Sequence, residues 1–318
     1  MKKVAITVYP RIHMFSLDLS LKNGNMKSGS MGFSLKSSPV RIAVAKSSKR
    51  TIKISQKNQN LLEKLEEICA KFQKNQMIDS NFEIKIDAPK YFRNHIGLGL
   101  TTQVLGGVLY CLHNLFEIHF DVDYLLKYNV GRVSALGSQL IFNPGWILEK
   151  GYKIDKTGEP LHPEFYEYGE FFEKSIEKLR APNWFAIIAI PELDESLSNK
   201  LEDEFWDNIF PDRKKNSLEI IYETFMNLLP AIQESDFERF IQCLRKITAI
   251  GTKPCEEAIQ SKTTKNALKI LRNNYNFASV SSLGPTLYAF SKHNENVPKL
   301  KGFDVITINL GEDDETKS

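Results

Sequence analysis

Apolar and polar residues alternate in short runs through the first third of the chain, the period-two signature of strands with one buried face. Val4 to Tyr9, Met31 to Leu35, Val40 to Ala45 and Thr51 to Ser55 are such runs, β-branched or alternating. Pro10-Arg11 closes the first of them. The period then changes: Leu61, Leu62, Leu65, Ile68 and Phe72 recur at helical spacing with Glu and Lys between them. Phe82 to Asp87 alternates strictly and reads as a strand that Pro89 stops. Val104 to Phe116 is almost wholly apolar and long enough for a buried helix. In the second half, Trp184 to Ile190 reads as a buried strand closed by Pro191, and three or four amphipathic helices follow between Leu197 and Asn273. Phe277 to Val280, Thr286 to Phe290 and Phe303 to Leu310 read as strands. The elements mix without the regular rhythm of a doubly wound sheet, so the expected class is α+β. Arg180-Ala181-Pro182-Asn183 punctuates the chain. It sets the expected boundary between a lobe at 1–180 and a second α+β lobe at 181–310, followed by an acidic, disordered tail at 311–318.

Composition narrows the picture. The 318 residues are enough for one large or two ordinary domains, and 42% of them are apolar, enough for a sizeable core. Forty-two basic residues face 39 acidic ones, so no global field points to nucleic acid or an anionic membrane. No apolar stretch approaches the roughly 20 residues a bilayer span needs, and the N-terminal run is too short for a signal-peptide core. The expectation is a soluble, cytoplasmic protein acting on small molecules, with no nucleic-acid or membrane partner and a homodimer left open. Cys69, Cys111, Cys243 and Cys255 show no CxxC spacing, and they read as buried or idle thiols rather than a disulfide framework or zinc site.

Four segments carry candidate chemistry. The first is Gly97-Leu98-Gly99-Leu100-Thr101-Thr102-Gln103, a glycine loop running into the buried helix. Glycines at i and i+2 let successive N–H groups converge, and the helix N-terminus adds partial positive charge, which suits phosphate or diphosphate; a plain turn has the same pattern. The second is Ser281-Ser282-Leu283-Gly284-Pro285-Thr286, with three hydroxyls and a glycine between two strands. It fits a sugar or phosphate, and equally a hairpin loop. The third is Arg11-Ile12-His13, with Asp18 beyond, read as a strand end that brings Arg11, His13 and Asp18 together around an anionic, hydroxylated ligand; a salt-bridged corner is the alternative. The fourth is the small-residue loop Gly131 to Ser138, where Arg132 could fork a phosphate or stand as a surface charge. His95, beside the first loop, reads as structural or as a ligand.

Together these segments resemble the β-ribofuranosylaminobenzene 5′-phosphate synthases. Arg11-Ile12-His13 with Asp18 resembles the family's opening. His95-Ile96-Gly97-Leu98-Gly99 with Thr102-Gln103 resembles its HxGLGxxTQ-type loop. Gly131-Arg132 followed by Gly137 resembles its GRG…SGIG segment, and Ser281 to Ala289 resembles its SSxGPTxYA close. The matches run in the family's order from residue 4 to about 290. The sequence departs from the family's pattern at Leu100-Thr101, at Val133 to Leu136 and at Lys150-Gly151-Tyr152.

The resemblance implies the two-lobed GHMP-kinase superfold, with an N-terminal ribosomal-protein-S5-domain-2-like lobe and a C-terminal ferredoxin-like lobe. It implies a phosphoribosyl-pyrophosphate-dependent C-ribosyltransferase that joins ribose 5-phosphate to an aromatic carboxylate, with loss of diphosphate and carbon dioxide, of the kind used in methanopterin-type cofactor biosynthesis. Arg11, His13 and Asp18 are then the candidate catalytic residues. Gly97 to Gln103, Arg132, Ser281, Ser282, Gly284 and Thr286 are the candidate donor-binding residues. Mg²⁺ is expected to accompany the diphosphate, and no acidic cluster in the sequence identifies its protein ligands. An ATP-dependent GHMP-type kinase is the rival reading, and a non-catalytic ligand-binding relative is the third. No Asp or Glu occurs from Tyr124 to Leu148 to activate an alcohol, which weighs against the kinase.

Overall fold

The computed structural model describes residues 2–18, 26–93, 95–131, 135–150, 152–153, 176–192 and 214–311. Three sheets organise them. The first runs in the order β1 (Lys3–Val8), β4 (Val40–Lys46), β6 (Phe82–Asp87), β5 (Thr51–Ile54); only the β5–β6 pair is parallel. Its alternation is the one the sequence shows: Val40, Ile42 and Val44 are buried while Arg41 faces solvent. The buried face packs on α2 (Leu100–Leu115), and α1 (Gln59–Gln76) packs beside that helix. Asn58 caps α1 by accepting from the Leu61 N–H at 3.0 Å.

The second sheet runs β2 (Arg11–Asp18), β3 (Met26–Ser34), β7 (Trp146–Glu149), β9 (Ile176–Leu179), with the short β8 (Tyr152–Lys153) paired to β3. Two small helices, α3 (Tyr124–Lys127) and α4 (Ala135–Phe142), come just before β7 along the chain, and α4 packs on β3 and β7.

The third sheet runs β11 (Ala278–Val280), β12 (Leu287–Ser291), β10 (Phe185–Pro191), β13 (Phe303–Asn309), all antiparallel. Counted from β10, this is the 4-1-3-2 order of a ferredoxin-like sheet read from its far edge. Among the described residues its helices are α5 (Lys214–Glu223), a π turn at Thr224–Leu228, α6 (Leu229–Gln233), α7 (Phe237–Ile250), α8 (Lys253–Ala258) and α9 (Lys262–Asn274). The unbroken apolar run in β10 follows from burial on both faces. Ala186, Ile188 and Ile190 enter the main core, while Ile187 and Ala189 pack with Leu268 and Leu271 of α9. No helix among the described residues is long and apolar enough to cross a membrane.

Several expectations need correction. Arg11 to Asp18 is not the end of a strand but a strand of eight residues, flanking β3. Its apolar residues do not alternate cleanly, because a bulge between His13 and Phe15 shifts the register. Residues Leu100 to Gln103 are not loop but the first turn of α2. The segment after Gly131 is not a loop throughout, since α4 begins at Ala135. Strands β7 and β9, four residues each, lacked a long enough pattern to be read. The acidic tail beyond Gly311 lies outside the described residues.

One main core runs from the first sheet through to the third. Where the second and third sheets meet, it is aromatic. Phe290 of β12 lies within 5.1–6.2 Å, centroid to centroid, of Phe33, Trp146, Phe240, Phe277 and Tyr288. Such tilted and edge contacts add to the area each ring buries. Replacing Phe290 by Ala should therefore lower stability by about 3–5 kcal/mol. Because the core is shared, urea unfolding of this variant should remain a single transition by both fluorescence and circular dichroism. Two separated transitions would show that the lobes do not share a cooperative core.

Candidate active site

The glycine loop meets both lobes. At its entrance, the Arg11 backbone N–H donates to the Leu98 carbonyl at 2.9 Å, and Arg11 Nη1 donates to the Gly97 carbonyl at 3.3 Å. His95, Gly97 and Gly99 have φ of 54°, 83° and 61°, so alternate residues are left-handed and the backbone turns tightly. Gly99 is the N-cap of α2, and its carbonyl accepts the Gln103 N–H at 3.2 Å. The opening N–H groups of α2 therefore point back along the helix axis, toward the loop. A side chain at Gly97 would begin 2.4 Å from the Ser281 carbonyl oxygen, and one at Gly99 would begin 2.8 Å from Arg11 Nε. The glycines are thus demanded by the second-lobe turn and by Arg11 packing onto the loop. The side-chain space at Gly99 is filled by the guanidinium and not left for a ligand.

The turn between β11 and β12 closes onto this loop. Ser281 Oγ donates to the Gly97 carbonyl at 2.7 Å and accepts the His13 N–H at 3.1 Å. The Ser282 N–H donates to the His13 carbonyl at 3.3 Å, and the Thr286 N–H to the Ile96 carbonyl at 3.2 Å. Within the turn, the Ser281 N–H reaches the Thr286 carbonyl at 2.8 Å and the Gly284 N–H reaches the Ser281 carbonyl at 2.9 Å. The Gly284–Pro285 bond is cis.

The Gly131 segment packs against the far side of the loop. Gln103, fully buried, donates through Nε2 to the Gly137 carbonyl at 2.6 Å. A side chain at Gly137 would begin 3.2 Å from the Thr102 methyl. Arg132 lies outside the described residues. Asp18 pairs with Ser28 at the opposite end of β2 from Arg11. Seven residues of extended chain separate the two by about 20 Å, so the strand does not bring Asp18 to Arg11 and His13. The Asp18 side chain lies outside the described residues.

Two cations act on His13, Arg11 and Lys253, and the second is paired with Glu256. His13 is only 8% exposed. Burial, and then the charges of Arg11 and Lys253, hold its pKa well below the usual histidine value, so the imidazole is neutral. His13 Nδ1 and Thr286 Oγ1 are buried without a hydrogen-bond partner, as polar atoms are where a ligand completes the set. No three His, Cys, Asp or Glu side chains among the described residues lie close enough to hold a metal. Of the cysteines, Cys69, Cys111 and Cys243 are buried, with thiol pKa values pushed up to about 12 chiefly by that burial, and none of the four forms a disulfide.

Sequence reasoning missed two sets of residues. Glu149 follows directly on the acid-free stretch; it is buried and accepts from Ser30 Oγ at 2.7 Å. Lys253 and Gln260 stand behind the Ser281 turn. Neither set lies in a recognisable motif, and only the packing reveals them.

Fold and junction together define a protein of the GHMP-kinase superfold. Phosphomevalonate kinase of Streptococcus pneumoniae superposes with a TM-score of 0.63 over 92% of each chain at 14% identity. Mevalonate kinase of Staphylococcus aureus superposes with a TM-score of 0.60 over 98% of this chain and all of the other, at 11% identity. By sequence the chain is a relative of two archaeal proteins named β-ribofuranosylphenol 5′-phosphate synthase. The one from Archaeoglobus fulgidus is 24% identical over 289 residues, covering 89% of this chain and 86% of the relative. The one from Methanocaldococcus jannaschii is 24% identical over 298 residues, covering 88% and 87%. No family model matches the chain.

The buried histidines give a pH prediction. His113, fully buried, also has a lowered pKa, chiefly from burial. In the unfolded chain both histidines titrate near the ordinary value of about 6.5. Below that pH the unfolded state binds more protons than the folded one, so stability falls as the pH drops from about 6.5 towards the folded-state values. Urea midpoints should be lower at pH 5.5 than at pH 7.5, and the difference should shrink in His113→Phe. Equal midpoints would mean that both imidazoles protonate freely inside the fold.

Proposed function

We propose that this chain is a phosphoribosyl-pyrophosphate-dependent C-ribosyltransferase. It joins the anomeric carbon of ribose 5-phosphate to a ring carbon of an aromatic carboxylate, with loss of diphosphate and carbon dioxide. The observation that carries this reading is the convergence of the matched motifs at the Gly97 carbonyl, in a chain similar to the archaeal synthases along nearly its whole length. The product named for those relatives is a ribofuranosylphenol, which favours a hydroxybenzoate as acceptor over an aminobenzoate.

The anomeric C–O bond breaks and diphosphate leaves with the electron pair. The ring carbon that bears the carboxylate bonds to the anomeric carbon. The ring–carboxylate bond then breaks, its electrons restore the aromatic ring, and carbon dioxide leaves. A hydroxyl ortho or para to the carboxylate feeds electrons to the attacking carbon, and no strong base is needed. Arg11 and the N-terminus of α2 stabilise the departing diphosphate. Neutral His13 and the Thr286 hydroxyl offer hydrogen bonds to the donor without adding charge. The buried junction shields the cationic anomeric carbon from water. Magnesium, when bound, neutralises diphosphate charge.

The test is incubation of the purified protein with phosphoribosyl pyrophosphate, magnesium and 4-hydroxybenzoate or 4-aminobenzoate, following diphosphate and carbon dioxide. Equal release of both, faster with the hydroxy acid, is expected. Arg11→Ala should lower kcat/KM by about 10²-fold or more, and Gly99→Val, by displacing Arg11, should abolish donor binding in calorimetry. Stoichiometric ADP formation from ATP with a GHMP-kinase alcohol would overturn the reading in favour of a kinase. Donor binding without any turnover would favour a non-catalytic relative.

A further inference from the structure

Behind the Ser281–Thr286 turn lies a buried polar group that the proposed chemistry leaves unused. Lys253 and Glu256, three residues apart on α8, are 1% and 2% exposed. Lys253 Nζ donates to Glu256 Oε2 at 2.5 Å and to the Val280 carbonyl at 2.9 Å. The Thr252 hydroxyl donates to the other Glu256 oxygen. Gln260 Nε2 donates to the Leu283 and Glu256 carbonyls, each at 2.7 Å. The Gln260 amide also lies flat on the turn, since a side chain at Gly284 would begin 2.5 Å from its Oε1.

Stability alone is a poor account of this group. A buried ion pair loses so much hydration that apolar residues of similar volume often serve as well or better. What the group does is local. Lys253 holds the carbonyl just before Ser281, and Gln260 holds the carbonyl just before Gly284, so the turn is gripped on both sides of the serine. Ser281 in turn holds the Gly97 carbonyl and the His13 N–H. We propose that Lys253 and Gln260 are positioning residues. They fix the turn so that Ser281 locks the glycine loop in the form that receives the donor's diphosphate. The proposal rests on the donor-binding reading of the loop given above.

The experiment uses the full chain and three proteins: wild type, Lys253→Met/Glu256→Leu, which removes both charges together, and Gln260→Met. Each is read by melting temperature, by hydrogen exchange followed by mass spectrometry, and by calorimetry and kinetics with phosphoribosyl pyrophosphate and magnesium. Exchange in peptides covering 281–286 should rise by about tenfold or more, the loss expected from removing a charged or buried hydrogen bond, while peptides covering β10 keep their protection. The Kd and KM for the donor should rise by a similar factor, and kcat should change far less. Folded variants with unchanged exchange at 281–286 and unchanged donor Kd would overturn the proposal. So would a uniform rise in exchange across β10 and the turn, which would make the group a general stabiliser. If the double variant does not fold, Gln260→Met decides by the same readouts, because it buries no new charge. If wild type fails to bind the donor, the transferase reading falls, and exchange at 281–286 alone decides whether the turn is held by this group.

Discussion

The junction depends on one hydroxyl. Ser281 Oγ, at a fully buried position, donates to the Gly97 carbonyl and accepts from the His13 N–H. It ties β2, the glycine loop and the β11–β12 turn at a single atom. Gly97 has to be glycine, because its φ is left-handed and the Ser281 carbonyl oxygen lies where a side chain would begin. The His13 N–H sits at the bulge of β2, where the ladder is irregular, and takes its partner from the other lobe. A serine hydroxyl suits this place because it serves as donor and acceptor at once, whereas an amide or carboxylate of greater bulk would push the loop away from the turn.

This tie is backed by a larger, less specific one. Trp146 and Phe33 of the second sheet stack at 5.3 Å and meet Phe240 and Phe290 of the second lobe. That aromatic seam supplies the burial that holds the lobes together, and the hydrogen bonds around Ser281 supply the register. The separation of tasks is physical. Apolar contact is strong but not directional, so it tolerates small shifts of one lobe on the other. The hydrogen bonds at Gly97 do not, and they fix where the opening N–H groups of α2 point.

The long periodic elements were legible in the sequence. Phe82 to Asp87 is the strand its alternation predicts, and Leu61 to Phe72 falls within α1. The third sheet was nearly as plain, because β10 and β12 are apolar runs of seven and five residues and β13 is rich in β-branched residues. What failed were β2, which mixes polar and apolar residues at buried positions, and the short β7 and β9. In β2, Arg11 and His13 are buried alongside Ile12, Met14 and Phe15, so polar and apolar identity no longer reports which face is wet. The candidate site was legible as separate motifs, since glycine spacing and clustered hydroxyls are local features. Their mutual contacts were not, because Arg11, Gly97 and Ser281 are 86 and 184 residues apart along the chain in successive pairs. Asp18 shows the limit most clearly. Seven residues of sequence look close, yet as extended backbone they span about 20 Å.

The same geometry bears on why a small-molecule-kinase fold would host ribosyl transfer. Phosphorylating an alcohol asks for a base near the hydroxyl, and help from one is worth about 10²–10⁴-fold. Of the buried carboxylates described above, Glu149 accepts from Ser30 and Glu256 is bound by Thr252 and Lys253, so each already has a task within the fold. His13 is neutral, but the burial, and after it the charges of Arg11 and Lys253, that lower its pKa also make it a weak base. A site of this kind is better at stabilising a leaving anion than at removing a proton. Ribosyl transfer to a ring carbon needs that balance: strong stabilisation of diphosphate, exclusion of water from the anomeric carbon, and an aromatic ring that discards carbon dioxide instead of a proton. In the proposed reaction the glycine loop keeps its geometry while the electrophile changes from phosphorus to carbon. The acceptor's own carboxylate leaves as carbon dioxide in that reaction, so no base is needed beside it.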